Sequence, residues 1–195
     1  MKLNVQINRF LILAALMFGL GQAAQAAEVA GVKLDDTVKV ANKELKLNGA
    51  GIRTRLMFKV YVAGLYLPEK KTTAADVLAT QGPRRLKLVL LREVNSEDFG
   101  QAFMDGLNAN SDKAEKAKFV NQTVKMGEIF AGIPSLNKGD SITADWIPGT
   151  GLNILVNDKK VGDTLQGIEF ANAFLRIWLG DKPADAALKQ NLLGG

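Results

Sequence analysis

The chain has 195 residues and a formal net charge of +5, and it contains neither cysteine nor histidine. These two absences exclude disulfide bonds, thiol nucleophiles, the Ser-His-Asp triad and the usual zinc ligand sets. Any chemistry or binding therefore depends on Arg, Lys, Tyr, Asp and Glu. The basic residues are scattered, without the Lys/Arg stripe and interleaved aromatics of a nucleic-acid-binding surface, so we expect no nucleic-acid partner.

The N-terminus has the three parts of an export signal. Two basic residues precede an apolar run from Phe10 to Leu20, and Ala24-Gln25-Ala26 is a small-residue cleavage site. The run is shorter than the roughly 20 residues that cross a bilayer as a helix, so we expect no transmembrane segment. We predict a cleavable signal peptide over residues 1–26 and a single periplasmic or secreted domain over residues 27–195.

Apolar and polar residues alternate between Val29 and Leu67, which predicts antiparallel strands. The first of these form a predicted hairpin with its turn at Asn42-Lys43. The two glycines of Gly49-Ala50-Gly51 are expected to allow a tight bend, followed by one unbroken strand to Leu67. Pro68 ends that strand.

Within this strand Arg53 and Tyr61 are eight residues apart, so they share a face. The period does not say whether this face meets solvent or lines a cleft. In a cleft, a guanidinium and a phenol can hold a carboxylate or an enolate by charge-assisted hydrogen bonds.

The middle of the chain alternates predicted helices and one strand. Thr73, with Asp76 three residues later, predicts a capped helix to about Ala79. Arg84 to Arg92 is predicted to be a central strand, because both of its faces carry apolar residues. Ser96 is the predicted N-cap of an amphipathic helix.

That helix repeats Phe99, Phe103 and Leu107 at every fourth position. Such residues suit a core, and they also suit the apolar wall of a small-ligand pocket. A second helix is predicted from Asp112 to Phe130, before Pro134. Its predicted buried face consists of Ala117, Val120, Val124 and Gly127.

The C-terminal part returns to alternation from Ser141 to Val156, and Val161 begins a short last strand. The run from Gly167 to Leu179 is apolar all round, which predicts a largely buried helix. Pro183 is expected to open a last helix to about Leu193. This order of elements predicts an α+β domain with a curved antiparallel sheet packed by helices, mostly on one face.

Two segments resemble a known family. Gly49-Ala50-Gly51-Ile52-Arg53, followed by the run from Lys59 to Leu67, resembles the N-terminal signature of chalcone isomerase and its relatives. The segment from Phe174 to Pro183, with Leu188 to Leu192, resembles the closing helices of the bacterial chalcone isomerase-like branch. The resemblance implies an open-faced β-sandwich with a ligand cleft between a large sheet and its helices.

The resemblance also implies roles for single residues. Arg53 matches the family arginine that holds the oxyanion of the ligand. Tyr61 stands where plant isomerases have a threonine and where the fatty-acid-binding relatives have a tyrosine. Phe99 and Gly106 stand where the isomerases have an active-site tyrosine and asparagine, so two polar groups of the isomerases are missing.

The leading hypothesis is a non-catalytic protein that binds a fatty acid or similar amphipathic carboxylate. Its predicted ligand-binding residues are Arg53, Tyr61, Phe99 and Phe103, with no cofactor and no metal. One alternative is an isomerase, an intramolecular lyase acting on a phenolic or enone substrate with Arg53 as its catalytic residue. Another is an envelope interaction protein with a vestigial cleft. The sequence leaves the ligand and the oligomeric state open.

Overall fold

A computed structural model describes residues 26–133 and 135–195, so the predicted signal peptide lies, except for Ala26, outside the described residues. The strands are β1 (Ala27–Val29), β2 (Val32–Leu34), β3 (Thr37–Val40), β4 (Lys43–Arg55), β5 (Phe58–Leu67), β6 (Arg84–Leu90), β7 (Val94–Asn95), β8 (Ser135–Leu136), β9 (Ser141–Ile147), β10 (Gly151–Val156) and β11 (Lys159–Leu165). The helices are α1 (Ala74–Ala79), α2 (Ser96–Ala109), α3 (Lys113–Lys118), α4 (Val120–Ala131), α5 (Ile168–Leu179) and α6 (Ala186–Leu192). None of the helices in this part of the chain is long and apolar enough to span a membrane.

Seven strands form one antiparallel sheet in the order β11-β10-β9-β6-β5-β4-β3. β6 lies in the middle of this order, which confirms the predicted central strand. Alternate side chains of β5, β6, β9 and β10 form one core with the helices, and this core buries most of α5, as predicted. The prediction of an α+β domain with a curved antiparallel sheet packed by helices is confirmed.

The predicted unbroken strand up to Leu67 is wrong, because a hairpin interrupts it. β4 ends at Arg55, Leu56 and Met57 make a two-residue turn, and β5 starts at Phe58. In this sequence the apolar alternation of Leu56, Phe58 and Val60 runs on through the turn, and the turn lacks the glycine or asparagine that usually marks one. The preceding hairpin is confirmed, with its turn one residue earlier than predicted, at Ala41-Asn42.

Two helix boundaries differ from the prediction because a neighbouring residue supplies the cap. α2 is capped by Asn95, whose side chain accepts the Glu97 N–H at 2.7 Å, and Ser96 is already helical. α6 starts at Ala186, after the cap Asp185, and not at Pro183. The predicted cap of α1 is confirmed, since the Thr73 side chain accepts the Asp76 N–H.

The predicted helix from Asp112 to Phe130 is two helices. Phe119 leaves helical geometry (φ −126°, ψ 24°) and is buried against Phe170, with 5.7 Å between ring centroids. Val120, Val124 and Gly127 all lie in α4, so the prediction chose the wrong face of this helix. The four residues of the predicted buried face are all exposed, and α4 instead buries Met126, Ile129 and Phe130.

Gly49 and Gly51 lie within β4, which continues through them; in place of the predicted tight bend, β4 has a β-bulge at Asn48, directly before Gly49. They leave room for α6, which packs directly on the strand. A Cβ at Gly49 would overlap the Asn191 carbonyl oxygen, and one at Gly51 would lie 2.8 Å from the Asn191 Cβ. Of the two segments that carry the family resemblance, the first is therefore packed against the end of the second.

We expect Gly49→Ala to destabilise the protein by about 1–3 kcal/mol, because the new methyl group meets backbone that cannot move without shifting α6. Gly127→Ala in α4 is the matched control, since a Cβ there meets nothing within 4 Å. It should stabilise the protein by about 0.5–1 kcal/mol through helix propensity. Urea unfolding followed by circular dichroism measures both changes, and a wild-type midpoint for Gly49→Ala would contradict the close approach.

Candidate functional site

The β4–β5 hairpin brings Arg53 and Tyr61 together. They are directly opposed register partners, so they share a face as predicted, although on two strands. The guanidinium carbon of Arg53 lies 5.7 Å from the centroid of the Tyr61 ring. Tyr61 is buried, and the Nε of Arg53 is also buried and has no hydrogen-bond partner. Buried N–H donors normally find an acceptor, so this one is available to a ligand.

Trp178 of α5 fixes the phenol of Tyr61. Its indole N–H donates to the Tyr61 Oη at 2.8 Å, and both side chains are buried. Buried Trp and Tyr side chains usually satisfy their polar atoms in this way. Because the Tyr61 oxygen accepts this bond, its own O–H proton is free to donate to a ligand.

Burial raises the pKa of Tyr61. The positive charge of Arg53, the hydrogen bond from Trp178 and the polar contact with the Arg53 side chain act in the opposite direction, but burial, helped by the charge of Asp185, outweighs them. At neutral pH Tyr61 is therefore a neutral phenol that donates a hydrogen bond, and not a phenolate that accepts a proton.

Asp185 places a carboxylate near Arg53. Its Oδ2 accepts the Thr54 N–H at 3.0 Å and its Oδ1 accepts the Leu188 N–H at 3.0 Å. Burial acts to raise the pKa of Asp185, yet the backbone N–H groups of Leu188, Thr54 and Ala187 and the charge of Arg53 lower it overall. The ionised carboxylate thus balances part of the arginine charge while its oxygens are engaged by backbone.

Helices α2 and α5 complete the pocket over this pair. It is lined by Arg53, Tyr61, Phe99, Ala102, Phe103, Ile177, Trp178 and Ala184. The structure therefore brings all four predicted ligand-binding residues together, while their role in binding remains a prediction. In the described ranges, no group of acidic residues is arranged to hold a metal ion.

The cavity between these residues is small, about 20 Å³. That volume suits one water molecule, whereas small-ligand pockets are commonly about 300–1,000 Å³. Phe130 of α4 contacts the rings of Phe99 and Phe103, with centroids 5.6 and 5.3 Å apart. Phe130 also lines a groove of about 490 Å³ between α2 and α4. Three phenylalanine rings thus lie between the small cavity and a much larger groove, whose walls include Met104, Phe130 and Ile133.

Sequence reasoning missed two members of the site. The sequence pattern favours a core position for Trp178 without excluding a ligand wall, and it does not show the bond to Tyr61; a buried indole N–H needs an acceptor, and Tyr61 is one of only two tyrosines in the chain. Asp185 was not singled out, although an aspartate before a helix is a common N-cap. Gly106, by contrast, does not line the pocket: a Cβ there would lie 2.7 Å from the Ile177 Cγ2, so the glycine allows α2 and α5 to pack closely.

The curved sheet, the helices over one face and the cleft with its arginine define a class of α+β open-faced β-sandwiches. A family model described as chalcone isomerase-like matches residues 26–194. The chain belongs to the chalcone isomerase-like family. The sandwich fold implied by the sequence resemblance is thereby confirmed.

One solved structure with this fold is the crystal structure of a fatty-acid binding protein from Arabidopsis thaliana. The TM-score is 0.67 with 14% sequence identity, and the similarity covers 87% of this chain and 96% of that chain. At this identity the similarity establishes the fold. No curated protein sequence matches the chain.

We expect both tyrosines to ionise at a higher pH in the folded protein than in the unfolded chain. Burial raises the pKa of Tyr61, and burial together with the charges of Asp35 and Asp36 raises that of Tyr66 to about 12, although Arg85 opposes this. The folded state keeps protons that the unfolded chain loses above pH 10. The contribution of these two phenols to the free energy of unfolding is therefore fully present below about pH 10, and it is lost as the pH rises towards 12.

Absorbance at 295 nm measures this titration with and without urea. Tyr61→Phe and Tyr66→Phe should each remove part of the alkaline loss of stability. Ionisation of both phenols near pH 10 in the folded protein would contradict the burial described here.

Proposed function

We propose that this protein is exported and binds a fatty acid or similar amphipathic carboxylate, without catalysing a reaction. The observation that carries the proposal is the pair of free donors on Arg53 and Tyr61. The buried Nε–H of Arg53 has no acceptor, and the Tyr61 O–H is available beside it. Two adjacent donors, one of them charged, suit the two oxygens of a carboxylate.

The titratable groups of the pocket support binding over catalysis. Tyr61 has a raised pKa, so it is a donor and not a base. Both oxygens of Asp185 accept backbone N–H bonds, and its pKa is lowered, so it is a poor proton acceptor. General acid–base catalysis needs a group whose pKa lies near the working pH, and neither residue supplies one.

The ligand's apolar tail needs more room than the 20 Å³ cavity provides. Rotation of Phe99, Phe103 and Phe130 would join this cavity to the groove between α2 and α4. The groove's volume of about 490 Å³ lies in the range of small-molecule pockets. In this arrangement the carboxylate lies at Arg53 and the tail passes between the two helices.

Two further observations support the ligand class and the location. The Arabidopsis thaliana protein with the same fold is a fatty-acid binding protein. The N-terminal pattern of basic, apolar and small residues supports export.

We expect Arg53→Gln to weaken binding of hexadecanoate by at least about tenfold, because a charge-assisted pair contributes more than a neutral hydrogen bond. Lys87→Gln is the matched control: it also removes one positive charge, from the opposite face of the sheet. The protein is expressed with its own N-terminus, and native mass spectrometry measures the bound acid. The intact mass of the same protein tests cleavage after Ala26.

Equal hexadecanoate binding by Arg53→Gln and wild type would overturn the carboxylate site. An unprocessed N-terminus in an export-competent host would overturn export. Cyclisation of a chalcone above the spontaneous rate, lost in Arg53→Gln, would instead favour an isomerase.

The route of the tail gives a separate prediction. Gly127 lines the groove and a Cβ there meets nothing within 4 Å, so Gly127→Trp places a large side chain in the groove without a clash at its Cβ. It should weaken hexadecanoate binding by about tenfold, since several methylenes lose their apolar surroundings, and leave octanoate binding unchanged. Calorimetric titration with both acids measures the difference, and equal effects on the two would contradict this route.

A further inference from the structure

The turn between β4 and β5 consists of two large apolar residues in water. Leu56 and Met57 are each 89% exposed, and the following Phe58 is 56% exposed. The other two-residue hairpin turns among the described residues use small or polar types: Ala30-Gly31, Ala41-Asn42 and Asn157-Asp158.

The hairpin does not need Leu56 and Met57 to form its turn. Leu56 has φ +57°, a left-handed conformation that disfavours residues with a large side chain. The last register pair between β5 and β6 joins Tyr61 to Leu90, so the hairpin extends beyond its neighbouring strand. Asparagine and glycine at this turn would remove both the strain and the exposed apolar surface.

Cations surround the apolar tip. Arg55 and Lys59 flank it on the two strands, and the Arg92 guanidinium lies 4.9 Å from the centre of the Phe58 ring. Glu93 is the acidic residue beside Arg92 in sequence. Apolar side chains with Lys and Arg at their base are typical of segments that enter the interface of an anionic bilayer.

We propose that this hairpin tip, residues 55–59, docks on the surface of an anionic lipid bilayer. Leu56 and Met57 enter the boundary between headgroups and acyl chains, while Arg55, Lys59 and Arg92 meet lipid phosphates. A narrow protruding turn suits a fluid surface better than a protein partner, whose interface commonly takes about 800 Å² from each side.

The tip and the pocket share one hairpin. Arg53 precedes Leu56 by three residues, about 10 Å along the strand. A docked tip therefore holds Arg53 close to the headgroups, from which an amphipathic acid leaves the bilayer. The docking itself does not depend on the ligand proposed above.

Single labels test the docking, because the chain has no cysteine of its own. Met57→Cys and the control Asn42→Cys, in the turn at the other end of β4, each take one environment-sensitive fluorophore. With vesicles of phosphatidylcholine and phosphatidylglycerol, we expect a blue shift at position 57 and none at position 42. Partitioning should be about tenfold weaker with phosphatidylcholine alone, since the cations lose their anionic partners.

An unlabelled variant completes the test. Leu56→Gly with Met57→Asn places glycine at the position with φ +57° and a polar residue beside it, so circular dichroism should show an intact fold. We expect its partitioning into the anionic vesicles to be about tenfold weaker than that of wild type.

The docking is overturned by an unchanged label at position 57, by equal responses at positions 57 and 42, or by wild-type partitioning of the double variant. A crosslink from position 57 to an envelope protein, with no response to vesicles, would also overturn it and would assign the tip to a protein partner.

Discussion

The close approach of α6 to β4 positions the rest of the site. Gly49 and Gly51 remove the side chains that would hold the helix away from the strand. The Asn48 side chain then donates to the Leu192 carbonyl at 2.7 Å in the buried contact, and Asp185 at the other end of α6 accepts the Thr54 N–H. The helix is thus fixed at both ends along the strand that carries Arg53.

This arrangement explains why Arg53 is charged, partly buried and still free to bind. Asp185 is close enough to lower the cost of burying the guanidinium, but its oxygens are committed to backbone donors. A direct Arg–Asp pair would have consumed the donor that the ligand needs. Phe99 and Phe103 line the pocket and supply no acceptor for the Arg53 Nε–H.

Much of the fold could be predicted because burial in a sheet repeats every two residues and burial on a helix every three to four. The failures lie where no local signal marks a break. The apolar alternation of the sequence runs on through the Leu-Met turn. Phe119 interrupts a helix where its ring packs against Phe170, a residue distant in sequence. Arg53 and Tyr61 share a face for a different reason from the predicted one: regular pairing from the two-residue turn would set Val60 opposite Arg53, and a β-bulge at Val60 sets Tyr61 there instead. Trp178 and Asp185 belong to the site only through tertiary contacts, which periodicity does not encode.

A buried arginine with unpaired donors is not by itself a binding site, as Arg84 shows. Its Nε and Nη2 also lack partners, and burial lowers its pKa to about 10. Yet its Nη1 donates to the Val77 and Leu78 carbonyls at the end of α1 and to the Asn172 side chain. This guanidinium therefore joins α1 to α5. Arg53 differs because it has a neutral phenol donor beside it, an apolar cavity in front of it and an exposed apolar turn three residues away. One hairpin thus carries both a buried donor without an acceptor, at Arg53, and an exposed apolar turn, at Leu56 and Met57. Such departures from the usual rules of burial and turn chemistry are expected at functional sites.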